Sequence, residues 1–498
     1  ESAVRELKEE CGVVATVSDL HWRGCLTYIY NTKPKAMEVN IFDLDQWEGE
    51  IIETEEMKPS WFQHGAVPLS SMWADDAFWL VQYLDGELST PFVGRFRFRG
   101  HEGPASWDVL EHHVASLHPA SIPRDLHSGT EAGTAMVVST VSFLNAPSAR
   151  PLESFIRYHL LKGFARIMIF VDSEKDLAAL DVIRRFPALR VLHRVRSSEL
   201  SEEQKQRCPS FAKLEGFVNE VSARQLLDAE LAMAKAPELG CRWLVCLDSD
   251  ELFYTKEASV VPHFQYLEEK GIQQMSYLNH EGVPEKRETH DYFATVTLFK
   301  QHHFAVPLSA QARSALRFWM ERSKRGQYFL FYDNGKSVCR SGCNAIPRNQ
   351  HLWQLPSGTK SCTALADPRH MDVDGFLECA DPCILHFPVC GLSWLTSKYQ
   401  TLGKFPDKWL GKVNLSESFH KDARDLAMSG NDLEDMFVRE VLLEDDGEVG
   451  RQVDSQTCLR IHDHAELLDA EVEAATSDRN DKSEANQASL PLADSLLG

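Results

Sequence analysis

The chain has 498 residues, 43% of them hydrophobic, and a formal net charge of −22 at pH 7. That length calls for two or three domains, with enough apolar residues for separate cores. The negative balance argues against bulk binding to nucleic acid or to an anionic membrane, but says little about a nucleotide held locally with a metal. No apolar run reaches the roughly 18 residues of a membrane span. Twelve cysteines are scattered without a Cys-x-x-Cys pair. The clusters at Cys339/Cys343 and Cys379/Cys383/Cys390 have the wrong spacing for common zinc modules, which leaves buried thiols or one or two disulfides.

The stretch Arg5–Val13 comes first. Its Glu6, Glu9 and Glu10 share one face of a helix, Val4, Leu7 and Cys11 another, and Gly12 supplies a stop. Three acids on one face repel each other unless a cation sits among them, and hard cations such as Mg²⁺ prefer such oxygens. Strand-like segments follow at Leu26–Tyr30, at Met37–Leu44 with alternating Met37, Val39 and Ile41, and at Phe92–Phe98. Between them lie Glu55-Glu-Met-Lys-Pro-Ser-Trp-Phe62 and Met72-Trp-Ala-Asp-Asp-Ala-Phe-Trp79. Trp73 offers a flat face for a purine. Asp75 and Asp76 are adjacent acids, and in a dry pocket two close carboxylates do not both ionise readily. The pair also suits the N-terminus of a helix from Ala77, and Trp73 taken alone suits a core.

The order Arg5-Glu-Leu-Lys-Glu-Glu-Cys-Gly-Val13 resembles the second half of the Nudix box. The opening glycine and first glutamate of that box would stand before residue 1, so the sequence begins inside the pattern and reads as a fragment or an incomplete gene model. The segments around Glu56 and around Trp73-Ala-Asp-Asp76 are similar to those of the oxidised-purine nucleoside triphosphatases, the 8-oxo-dGTP diphosphatase type, with Ala74 where that family usually has Pro. The resemblance covers nearly all of residues 1–115. It implies an α/β/α sandwich, here incomplete, that hydrolyses oxidised purine nucleoside triphosphates to monophosphate and pyrophosphate. Glu6, Glu9, Glu10 and Glu56 would hold Mg²⁺, with Glu10 and Glu9 catalytic and Glu10 acting as ligand or base. Tyr28, Met37, Trp73, Asp75 and Asp76 would form the base pocket, and Arg5 would orient the glutamates. Contacts that the family makes upstream are not in this sequence, so little hydrolysis is expected from the chain by itself.

Residues 116–133 are rich in Pro, Ser and Gly and read as a linker. A new pattern then starts. Val137–Leu144 reads as a strand, Leu152–Gly163 as an amphipathic helix, and Arg166–Val171 as a buried strand ending at Asp172. Arg190–Val195 is a further strand, about 213–236 a long helix, and Trp243–Leu247 a strand ending at Asp248-Ser249-Asp250. Alternating strands and helices predict a parallel α/β sheet, whose ligands sit at the carboxyl ends of strands.

Asp-x-Asp after an apolar strand is a metal and nucleotide-sugar signature of GT-A glycosyltransferases. With Pro151–Phe164, Cys383-Ile-Leu-His-Phe387 and Lys398-Tyr399, it resembles the glycosyltransferase family 92 group over about residues 134–460. That implies a nucleotide contact at Asp172, and a Mn²⁺ or Mg²⁺ site at Asp248, Asp250 and His386 that helps the nucleoside diphosphate leave. A histidine in this setting equally fills a core position. Lys336 and Arg340 suit phosphate contacts or plain surface charge. Glu281, Glu285 and Asp291 are candidates for an inverting base by region alone. Residues 461–498 lose apolar periodicity and read as a disordered acidic tail.

The expected protein therefore joins an incomplete Nudix domain to a GT-A-like domain. Its substrates would be a nucleoside triphosphate and a nucleotide sugar. The first activity suits the cytoplasm and the second the Golgi. Two alternatives are a glycosyltransferase carrying a non-catalytic Nudix remnant and a non-enzymatic interaction platform.

Overall fold

A computed structural model describes residues 2–30, 36–54, 57–63, 66–86, 88, 92–99, 108–116, 134–357, 361–363, 382–415 and 418–469. The expected linker over 117–133, Glu56, and the tail beyond residue 469 lie outside the described residues. The chain divides into two compact units, one built on Glu1–Thr130 and the other on Glu131–Ile183 with Leu189–Ala470.

The first unit opens with helix α1 (Ser2–Cys11), which stops at Gly12. Gly12 has φ +79°, and a Cβ there would lie 2.8 Å from the Glu50 carbonyl, so the stop is both conformational and steric. Strands β1 (Leu20–Tyr30) and β2 (Ala36–Leu44) follow, then α2 (Asp76–Leu84), β3 (Phe92–Arg99) and β4 (Asp108–Ser116). The sheet order is β2-β1-β3-β4, with β1 antiparallel to β2 and parallel to β3. The alternation in β3 works as its period of two requires: Phe92, Phe96 and Phe98 are buried together with Leu26 and with Trp79 of α2. Trp79 stacks on Phe92 with centroids 5.7 Å apart.

The second unit begins with β5 (Ala135–Val141), α3 (Arg150–Leu161), β6 (Arg166–Val171), β7 (Val191–Val195), β8 (Trp243–Cys246) and β9 (Glu251–Tyr254). β10 (Gln274–Tyr277), β11 (Asn279–Val283), β12 (Leu298–Lys300) and β13 (Lys336–Arg340) come next. Two short strands, β14 (Ile346–Pro347) and β15 (Trp353–Gln354), pair with each other, and β16 (Ser361–Thr363) and β17 (Cys383–His386) follow. A second short pair, β18 (Lys408–Trp409) and β19 (Val413–Asn414), precedes β20 (Cys458–Arg460).

These strands build a seven-stranded sheet, order β16-β10-β13-β8-β5-β6-β7, and a five-stranded sheet, order β20-β12-β11-β17-β9. β5 pairs in parallel with both β6 and β8, and nearly all of it is buried, as a central parallel strand covered on both faces should be. The fold is thus mixed α/β with a largely parallel core, and antiparallel β13 adds to its edge side.

Two details depart from the sequence expectations. The helix expected over about 213–236 is broken into Phe211–Leu214, a single 3-10 turn at Glu215–Phe217, and Val221–Lys235. Gly216 and Asn219 fall in the break, and both are weak helix formers. The stretch 461–469, expected as part of the tail, is instead packed. Ile461 donates its N–H to the Thr297 carbonyl at 2.9 Å, and Ala465 and Leu468 are buried on a helical turn over 463–469. The ten cysteines whose side chains are described are free thiols.

Gly335, just before β13, fixes how that strand enters the sheet. It has φ +60°, and a Cβ there would stand 1.7 Å from the Tyr277 carbonyl oxygen. Gly335→Ala should cost about 3 kcal/mol or more, because strain and a backbone clash add. Gly240→Ala, at φ +70° with nothing within 4 Å, should cost only about 1 kcal/mol. Denaturant midpoints of the two variants check this, and equal losses would refute the steric reading.

Two candidate active sites

In the first unit, Tyr28 on β1 stands opposite Met37 on β2. The Tyr28 hydroxyl donates to Asp75 Oδ2 at 2.8 Å, and its ring is tilted against Phe96 and Phe98, with centroids at 6.0 and 5.8 Å. Asp75 occupies the N-cap position of α2 but makes no capping hydrogen bond, because its side chain is turned to Tyr28. The helix-capping alternative therefore fails for Asp75. Asp76 Oδ2 accepts the Trp73 backbone N–H at 3.1 Å, while the Trp73 side chain remains half exposed. Tyr28, Met37, Trp73, Asp75 and Asp76 are thus gathered at one place. Burial, and after it the neighbouring Asp75 charge, pushes Asp76 up to about 6.

α1 carries the glutamates as its period dictates. Glu6 and Glu9 are exposed and Glu10 is partly buried. Arg5 pairs with Glu6 at 3.5 Å, an exposed contact of small energetic weight. Thr54 donates to the Glu10 carbonyl at 2.7 Å and so anchors the end of the helix. Among the described residues, no three His, Cys, Asp or Glu side chains anywhere are gathered closely enough to hold a metal.

In the second unit the Asp248-Ser249-Asp250 turn links β8 of the larger sheet to β9 of the smaller one. β9 pairs antiparallel with β17, setting His386 opposite Glu251, and the Phe387 N–H bonds the Asp250 carbonyl at 2.8 Å. That register brings His386 Nε2 to 3.9 Å from Asp250 Oδ1. β13 pairs antiparallel with β8 through Val338 and Val245. Two residues further along the same register, Lys336 stands level with Leu247, one residue before Asp248.

Lys336 Nζ accordingly donates to Asp248 Oδ2 at 2.8 Å and lies 3.3 Å from Glu251. Gln225 donates to Asp248 Oδ1 at 2.6 Å. Lys398, from the helix Leu392–Leu402, donates to Asp250 Oδ2 at 2.9 Å. Burial opposes the Asp248 charge, but Lys336 outweighs it and holds that carboxyl below the usual range. For Asp250, burial wins over Lys398 and pushes the carboxyl up. Burial also keeps the His386 imidazole neutral, with Lys398 adding to the effect. The ring stacks on Tyr332 at 4.7 Å, and its Nδ1 is buried with no hydrogen-bond partner among the described residues.

Asp248, Asp250, Gln225, His386, Tyr332 and Lys398 line a cavity of about 440 Å³, within the size range of small-molecule sites. Phe331, Trp394, Trp409 and His420 form its apolar side. Asp172 is not among the lining residues. Arg224 takes its carboxylate with a 2.8 Å bond to Oδ1, and Arg196 adds a second at 3.4 Å. The acid stands at the expected strand end, held there by two guanidiniums. Arg340 is not among the lining residues either. It pairs with Trp243 at the start of β8, the opposite end from Asp248.

Glu281 bonds Lys300 at 2.8 Å, Glu285 pairs with Arg460, and Asp291 accepts from Phe293 N–H, so none of the three reaches the cavity. Sequence reasoning assigned no role to Lys398, Gln225, His351 or His420. Lys398 was visible only as part of the Lys398-Tyr399 motif.

Over 111 residues the chain is 34% identical to the oxidized purine nucleoside triphosphate hydrolase of Mus musculus, covering 22% of this chain and 68% of that protein. The chain belongs to the oxidized purine nucleoside triphosphate hydrolase family. The match lies in its N-terminal region. The Danio rerio member of the family is 40% identical over 102 residues, 20% of this chain and 62% of that protein.

Beyond the hydrolase-family region, the chain is 27% identical over 266 residues to an Arabidopsis thaliana protein, Glycosyltransferase-like At2g41451, covering 51% of this chain and 54% of that one. The chain therefore spans only part of the curated relatives it matches. No protein-family model matches it. Among solved structures it is similar to the mannosyltransferase Ktr4p of S. cerevisiae (15% identity, TM-score 0.19, 31% of this chain and 41% of that one). It is also similar to the Mn/GDP form of core-mannan synthase A of Aspergillus fumigatus (12% identity, TM-score 0.19, 43% and 61%).

The Asp76 shift sets a stability profile. Folded, this carboxyl holds its proton up to about 6, whereas an unfolded one releases it near 3.8. The folded state binds more protons between those values, so stability falls as pH rises through that window and stays lower above it. Asp76→Asn should therefore raise the melting temperature at pH 7–8, with a gain of roughly 1–3 kcal/mol, and the gain should fade below about pH 4. A gain independent of pH would contradict this origin.

Proposed function

We propose that the chain combines an oxidised-purine nucleoside triphosphate hydrolase with a nucleotide-sugar-dependent glycosyltransferase. For the first unit, the observation that carries the reading is the Tyr28–Asp75–Asp76 cluster beside half-exposed Trp73. A purine stacks on the indole. Asp76, pushed up to about 6, would donate to the base edge when protonated and accept from it when ionised, and Tyr28 holds Asp75 in place.

The α1 carboxylates have the oxygen chemistry that suits Mg²⁺, and Glu6, Glu9 and Glu10 would hold it, with Glu56 as a further ligand by resemblance. Bound there, the ion would neutralise the phosphates and acidify the attacking water. Glu10, the least exposed of the three, is the residue that takes the water's proton or holds it in line. Pyrophosphate release from 8-oxo-dGTP with Mg²⁺ tests this, with Glu10→Gln expected to fall by about a hundredfold or more.

A second reading keeps the first unit as a binding module without catalysis. The exposure of Glu6 and Glu9, and the absence of a gathered three-ligand set among the described residues, favour it. Equal rates in Glu10→Gln and the unaltered chain would select it.

For the second unit, the carrying observation is the Asp248–Asp250 turn at the carboxyl end of β8, facing the 440 Å³ cavity with His386 beside it. A divalent cation fits part of this set. Asp250 and the neutral His386, whose Nε2 lies 3.9 Å from Asp250 Oδ1, would hold it, as Mn²⁺ or Mg²⁺, whereas Asp248 is already saturated by Lys336 and Gln225. Bound there, the ion would neutralise the departing nucleoside diphosphate. Asp248 positions Lys336, and the apolar wall of Phe331, Trp394 and Trp409 excludes water from the transferred sugar and offers aromatic faces to its C–H bonds. Nucleotide-sugar hydrolysis with Mn²⁺ should drop by about a hundredfold in Asp250→Ala. Unchanged turnover would remove the role given to Asp250.

A further inference from the structure

Each carboxylate that faces the cavity already has an ammonium of its own: Asp248 has Lys336 and Asp250 has Lys398. The two lysines are held very differently. Lys336 has a side chain only 2% exposed, and it is fixed between Asp248 and Glu251 with its ammonium over the Tyr332 ring. Lys398 is 26% exposed on a helix that borders the cavity. Beyond Asp250 its ammonium holds the Pro388 carbonyl at 3.0 Å and passes over the Phe331 ring at 5.1 Å. Lys398 can therefore swing into the cavity, and Lys336 cannot.

We propose that Lys398 is a charge latch on Asp250, released only when a divalent cation and a nucleoside diphosphate arrive together. The inference rests on the glycosyltransferase reading above and adds a positioning residue to it. A cation entering alone must displace the ammonium from Asp250, and leaves a second positive charge in the cavity without an anion. A diphosphate entering alone meets two carboxylates whose counter-charges are already engaged. When both enter, the cation takes Asp250 and His386, and Lys398 moves to a phosphate oxygen. Every charge is then matched. The coupling is reciprocal, so the diphosphate tightens cation binding by the same factor as the cation tightens diphosphate binding.

The test is Mn²⁺ binding to the full chain, read from the free-ion electron paramagnetic resonance signal, alone and with UDP or GDP. Asp250→Asn supplies the background from all other sites. In the unaltered chain, Mn²⁺ alone should bind the Asp250 site weakly, and either UDP or GDP should tighten it by about tenfold or more. Any phosphate ligand gives some synergy, so Lys398→Met decides the matter. Methionine keeps the apolar stem against Phe331 and removes the charge. It should tighten Mn²⁺ binding in the absence of nucleotide by about tenfold, and shrink the coupling, a gain that loss of a merely structural residue does not produce. Mn²⁺-alone affinity unchanged or weakened in Lys398→Met, with the Asp250 site otherwise binding, overturns the latch and spares the metal reading. No Mn²⁺ above the Asp250→Asn background in either protein, with or without nucleotide, overturns both.

Discussion

Placing two carboxylates at the junction of two sheets is the constraint around which the second unit is arranged. Each buried charge costs several kcal/mol unless it is paired and hydrogen-bonded. The partners come from distant parts of the chain: Lys336 from β13, Lys398 from a helix some 150 residues after the turn, and Gln225 from the helix before it. The register of β13 on β8 and of β17 on β9 is what delivers Lys336 and His386 to the same end. A one-residue slip in either strand would turn the side chain to the other face and leave a buried acid unmatched. On the other side of β13, Gly335 fixes its entry beside β10, since only a residue without a Cβ passes the Tyr277 carbonyl there.

The local part of this arrangement was legible in the sequence. The strands ending at Asp172 and Asp248 announce themselves as apolar runs, and the acidic helix announces itself by spacing and by Gly12. What the sequence left hidden was pairing. Asp172 and Asp248 follow equivalent strands of one sheet, and composition treats them alike. Yet two arginines close the first, while the second faces a cavity. Lys336 and Arg340 are four residues apart on one strand and looked like one basic patch. An antiparallel strand at roughly 3.3 Å per residue carries them about 13 Å apart, to opposite ends of β8. Long-range register, absent from any local window, decides both cases.

The same limit explains the C-terminal stretch. Residues 461–469 are polar enough to read as tail, and only their partners show otherwise. Ile461 closes on Thr297, and His464 is fully buried, with its ring nitrogen near the Val296 carbonyl. A short segment that finishes another element's core need carry no periodicity of its own.

The two units face one problem, adjacent acids in a low-dielectric site, and meet it by opposite means. Among the described residues, no ammonium pairs with Asp75 or Asp76. A tyrosine hydroxyl bonds Asp75, a backbone N–H bonds Asp76, and burial moves Asp76 toward its neutral form. Such a site presents donors and acceptors with little net field, which suits the edge of a neutral base. Asp248 and Asp250 instead sit against two lysines within hydrogen-bonding distance. That site stores charge of both signs, which suits a ligand that brings both, a polyanion with its cation. The chemistry of each pair follows from which counter-group the fold supplies, not from the acids themselves.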